Sequence, residues 1–97
     1  MARRNAVKGE LVTLLDGVEA TGAGTAHKTN LVRTSYHVEV ISTATVVIQV
    51  SNDGTNYVNS GLSFTADGVG AVEGPFQWVR ANCTAYTSGT ITVTAVV

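Results

Sequence analysis

Nucleophilic catalysis needs a thiol or hydroxyl beside a base that a third group holds in place. The thiol here is Cys83, the single cysteine, and the candidate bases are His27 and His37. Alternation along Phe76 to Ala85 puts Cys83 on one face with Gln77, Val79, Ala81 and Ala85, which predicts a buried small hydrophobe and not a nucleophile. His27 lies in a run of Gly, Ala and Thr, and His37 in an alternating segment. Neither has Cys, His or carboxylate neighbours at the spacing a metal site requires, so both read as surface histidines. Asn52-Asp53-Gly54 has the opening of a calcium loop without its alternating carboxylates or closing Glu, and reads as a turn. Asn82-Cys83-Thr84 fits a glycosylation acceptor, but it falls in mid-strand of a chain with no recognisable signal peptide. The glycines form no phosphate-binding fingerprint, and the seven acids are too scattered to nominate a catalytic pair. The expectation is a non-enzyme with no cofactor, no metal and no small-molecule substrate.

What remains is chemistry of contact. Arg3, Arg4 and Lys8 place half of the six cations in the first eight residues, with no acid among them. The rest of the chain sets Lys28, Arg33 and Arg80 against all seven acids. A basic arm over residues 1–9 on a mildly acidic body, residues 10–97, suits docking onto an acidic neighbour or another copy of the chain; a frayed, solvated terminus is the plainer alternative. Trp78 and Arg80 share the face opposite Cys83, and both residue types are enriched at interface hot spots. Arg3, Arg4, Lys8, Trp78 and Arg80 are therefore the candidate partner-interface residues. No basic stripe accompanies the arm, so nucleic acid is not an expected partner. No stretch approaches the roughly 20 apolar residues of a membrane span.

The elements that would carry these residues are strands. Only 13% of residues are charged, about half of the roughly 25% usual in soluble domains. Valine, isoleucine and threonine supply 33 of the 97 residues, and their stiff χ1 suits a pleated sheet better than a helix. Tyr36, Val38 and Val40, then Ala44, Val46, Ile48 and Val50, then Ile91, Val93, Ala95 and Val97 alternate with other side chains, the period of a strand with one face in a core. Glu10 to Leu15 reads as a short strand or one helical turn ended by Asp16-Gly17, and Val18 to Asn30 as a loop or irregular edge strand, part of it paired. Ser42-Thr43 reads as the connection of a hairpin, Ser51 to Thr55 as the strongest turn, and Tyr86 to Gly89 as another. Return strands are expected around Asn56 to Gly61 and Leu62 to Ala66, with a short one near Val69 to Val72. Seven or eight short strands predict a small all-β, two-sheet antiparallel β-sandwich, jelly-roll-like, with a small barrel as the alternative.

Two segments are similar to small virion structural proteins of tailed phages: Val46 to Tyr57, and Gly74 to Val93 with Gly-Pro-Phe-Gln-Trp-Val-Arg-Ala-Asn at its head. Leu14 to Gly24 resembles the usual opening of that family. Tyr57 stands where a Trp is common and Cys83 where Val is expected, and the basic arm has no counterpart. The resemblance implies a β-sandwich made in the host bacterial cytoplasm and present in many copies on the virion. First among its roles is a capsid cement or decoration protein, which binds the major capsid protein where capsomers meet, often as a trimer, and stiffens the shell. A tail, neck or fibre component is the alternative, and a host-glycan-binding module using Trp78 or Tyr57 a further one. Deleting residues 1–9 is expected to leave the domain folded and to weaken its assembly.

Overall fold

A computed structural model describes residues 9–97, so the arm residues Arg3, Arg4 and Lys8 lie outside the described residues. The expected all-β, antiparallel domain is present: among the described residues there are seven strands, joined in one continuous sheet, and no helix. They are β1 (Leu11–Val18), β2 (Gly22–Ala23), β3 (His27–Lys28), β4 (Arg33–Ser51), β5 (Val58–Phe64), β6 (Gly68–Glu73) and β7 (Trp78–Val96).

Two of these strands, β4 and β7, are 19 residues long and pair with each other along their whole length, from Ser35 opposite Val96 to Ser51 opposite Trp78. β1, β2 and β3 follow one another down the free edge of β7, while β6 and β5 take the two halves of β4. A straight strand of that length would span about 60 Å. Yet the adjacent amides of Thr29 and Asn30 donate to the carbonyls of Gln77 (2.9 Å) and Val97 (2.5 Å), which flank the two ends of β7, and adjacent residues sit only about 3.8 Å apart. The sheet is therefore doubled over into a nearly closed, barrel-like form. Its first layer is β1, the C-terminal half of β7, the N-terminal half of β4, and β6. Its second is β2, β3, the other halves of β7 and β4, and β5.

The fold line corrects two expectations. Ser42-Thr43 is not a hairpin connection, and Tyr86 to Gly89 does not turn the chain. Both lie inside unbroken strands, with Thr43 opposite Ser88 and Ala44 opposite Tyr86. The register between β4 and β7 shifts repeatedly between Glu39 and Val46, as bulges that bend and twist a strand without ending it. Gly89 (φ 114°) supplies a backbone conformation that side chains disfavour, and the Tyr86 hydroxyl donates to its carbonyl at 2.6 Å. β1 likewise runs through Asp16-Gly17, with register shifts on the way to Val18. The two return strands expected between Asn56 and Ala66 are one, β5, irregularly paired on either side of Ile48.

One core lies between the layers. It takes Val12, Leu14, Leu15, Tyr36, Val38, Val72, Ile91, Val93, Ala95 and Val97 from the first and Val46, Ile48, Phe64, Val79, Ala81 and Cys83 from the second. Alternation placed most of these correctly, but Ala85 and Gln77 are exposed, and Val50 is half-buried. The shift at the fold line moves Ala85 out of the phase that Val79, Ala81 and Cys83 keep. Thr34 is fully buried among these side chains because its hydroxyl pairs with the Tyr36 phenol at 2.8 Å and reaches the Val72 carbonyl at 3.3 Å.

The loop between β4 and β5 is locked as its residue types imply. The Asp53 carboxylate accepts from the backbone amides of Asn56 (2.9 Å) and Thr55 (2.8 Å), from the Asn56 side chain, and from the Ser51 hydroxyl. These donors, the Asn56 amide foremost, hold the carboxyl well below the usual carboxylate range. The turn's contribution is therefore complete above the unfolded pKa of about 4 and is lost as pH falls further toward the depressed folded value. In urea titrations at successively lower pH, Asp53→Asn is expected to flatten the acid loss of stability. An unchanged slope would show that the turn does not couple to folding.

Candidate functional site

The described residues carry no assembled reactive centre. Cys83 is buried, its thiol donates to the Ala85 carbonyl at 3.4 Å, and burial raises its pKa, so it is held as a thiol. His27 sits in β3 opposite Val79, half-buried, and His37 is exposed on β4. Among the described residues no group of three or more His, Cys, Asp or Glu could hold a metal ion.

Trp78 and Arg80 lie together on the outward face of the second layer, as alternation required, and both are half-buried. Each is built into the chain's own surface. Lys28, on β3 directly opposite Trp78, carries its Nζ 5.7 Å from the indole centroid, and Gly54 leaves room for the ring where a Cβ would come within 3.0 Å of it. Arg80 lies over the Tyr57 ring with its guanidinium carbon 4.1 Å from the centroid. Its Nε donates to Gln49 Oε1 at 2.8 Å, and Gln49 passes the ladder on to Asn59 at 2.9 Å. Cation–π contacts of this kind are worth about 0.5–1 kcal/mol at exposed sites, so the cluster stiffens the face more than it waits for a ligand. The Tyr57 hydroxyl is buried with no hydrogen-bond partner among the described residues.

The larger unpartnered surface is on the other layer, and sequence reasoning missed it. Outward positions there line up in rows: Leu11, Val96, Ser35 and Ala71 in one, Thr13, Thr94, His37 and Val69 in the next. Leu11 is 72% exposed, Val69 76% and Val96 38%. A shallow depression of about 490 Å³ lies over them, bounded by Arg33 at one end. Isolated exposed hydrophobes are ordinary, but these share one sheet face, as two apolar pairs, Leu11 with Val96 and Val69 with Ala71, on either side of Ser35 and His37. One local signal pointed to it: Val96 and Val97 are adjacent at the end of an alternating run, so when Val97 points inward Val96 must face outward.

No family model, curated protein or solved structure matches the chain.

Proposed function

We propose that this chain is a non-enzymatic structural protein of a tailed-phage particle, and within that class a capsid cement protein that binds the outer shell between capsomers. The observation that carries the reading is the exposed face of low charge on which two apolar pairs, Leu11 with Val96 and Val69 with Ala71, flank Ser35 and His37, a surface that costs little to desolvate and gains by acquiring a neighbour. The resemblance supports it in a spatially coherent way. Its two main segments are adjacent in the fold, since Val46 to Ser51 pairs with Trp78 to Cys83 along the spine of the sheet. The domain has little charge to strip of water and a small core, and binding to a lattice of neighbours stabilises such a domain by mass action. Arg3, Arg4 and Lys8, on the segment that enters the domain at Gly9, would reach an adjacent subunit.

A tail, neck or fibre position uses the same surface at another address. Glycan binding is less well served, because the Tyr57 and Trp78 rings already carry Arg80 and Lys28.

The test is saturable binding of the purified chain to shells of the phage that encodes it, after the endogenous copies have been stripped. Binding over the whole shell is expected. Binding confined to the tail or neck would move the protein there, and no binding to either would end the reading.

A further inference from the structure

The outward face of the first layer is graded in size in a way that a second copy would match. Across β1, β7, β4 and β6, one row reads Leu11, Val96, Ser35, Ala71, large to small. The next reads Thr13, Thr94, His37, Val69, with the larger groups on the opposite side. We propose that two copies of the chain pack through this face, related by a twofold axis that lies in the interface and runs along the strands between β4 and β7.

That operation sets β1 of one copy over β6 of the other and β7 over β4. Leu11 then stands over Ala71 and Val96 over Ser35, while Val69 stands over Thr13 and His37 over Thr94, each contact occurring twice as an isologous interface requires. Bulk meets hollow in the first row, while the second sets Val69 over the isosteric Thr13 and the larger His37 over Thr94, a pairing compatible with close packing of two sheets about 10 Å apart. Charge agrees with the same axis. β1 is preceded in sequence by Arg3, Arg4 and Lys8, and β6 ends at Glu73, so the point where the basic segment joins the domain at Gly9 falls opposite an acidic strand end. On β4, Glu39 faces Thr92 of the second copy and meets no like charge, since Thr92 is its own register partner in β7. Four strands over two to three rows bury on the order of 1,000 Å² in total, the low end for a specific interface, so the dimer is weak and concentration-dependent.

This goes beyond the particle reading: the dimer covers the face which that reading gives to the shell, so the two occupants compete for it, and the dimer is measured on the purified chain alone. Sedimentation equilibrium up to about 1 mM chain is expected to show a monomer–dimer equilibrium. Val69→Glu, at an exposed position, is expected to weaken it at least about tenfold by burying a charge. Ala71→Leu sets Leu over Leu, and Leu11→Ala leaves a hollow over a hollow. Each is expected to weaken association several-fold, and the double exchange Leu11→Ala with Ala71→Leu to recover it. Circular dichroism of every variant confirms folding, which substitutions at exposed positions leave intact. A monomer at the highest concentration, a trimer, association indifferent to Val69→Glu, or failure of the double exchange to recover would each overturn the proposal. So would a full-length monomer that dimerises only once residues 1–8 are removed, since the chain's own arm would then be the occupant.

Discussion

Gly24→Ala is expected to destabilise the domain by about 3 kcal/mol or more, a large fraction of the roughly 5–15 kcal/mol that holds a small domain folded. Gly24 follows β2, and its amide donates to the Ala81 carbonyl at 2.8 Å, which pins the β1–β2–β3 edge to β7. A Cβ added there would collide with the Leu14 carbonyl oxygen and crowd the Leu15 side chain, which lies 2.6 Å from its ideal position. Leu14 is 2% exposed and Leu15 3%, so neither has room to retreat. The obstacle is backbone, and overpacking against backbone cannot be relieved by a rotamer change. Gly22→Ala makes the comparison sharp. Gly22 has φ 140° but nothing within 4 Å of where an alanine Cβ would stand, so it carries only the backbone penalty. Urea unfolding of the two variants separates the effects. Equal losses would mean that the close approach at Gly24 is not what limits the position.

Ile48→Ala is expected to cost about 3 kcal/mol, within the usual range for truncating a buried aliphatic side chain. Ile48 is fully buried in the C-terminal half of β4, next to the Val47 position that begins the irregular pairing with β5, and its carbonyl accepts the Ser60 hydroxyl at 2.7 Å. Truncation opens a cavity between the layers at a point where the strand is held from both sides by β5 and β7 and cannot collapse into it. Val47→Ala, one residue away on the outward face and half-exposed, is expected to cost no more than about 1 kcal/mol. Since both changes lower β propensity, the difference between them isolates burial. A domain of this size has a total stability of about 5–15 kcal/mol, so the Ile48 variant should also show a lowered unfolding midpoint before any loss of assembly.

Alternation made the core of each strand legible. Tyr36 and Val38, Ala44, Val46 and Ile48, Val79, Ala81 and Cys83, and Ile91, Val93, Ala95 and Val97 all point inward as their period required. The places where strands bend were not legible. Ser42-Thr43 and Tyr86 to Gly89 have the small, polar and glycine-containing composition of reverse turns, and a bulge in a long strand draws on the same residues. Which of the two forms is decided by pairing partners more than 40 positions away, such as Thr43 with Ser88, and no local window contains them. The candidate site divides the same way. Trp78 and Arg80 could be placed on one face because they are two apart in one strand. The Leu11, Ser35, Ala71 and Val96 row draws one residue from each of four strands and exists only once the sheet has formed. The bland reading of His37 as a surface residue holds for its exposure, and its position in the middle of that face is what the sequence did not reveal.

On the proposed reading a tailed phage encodes the chain, and quantitative mass spectrometry of that phage's purified particles tests the proposal most directly. A cement protein predicts a ratio to the major capsid protein characteristic of a shell component, unchanged when tails are removed. A chain absent from the particles, or one that leaves with the tails, would contradict that assignment.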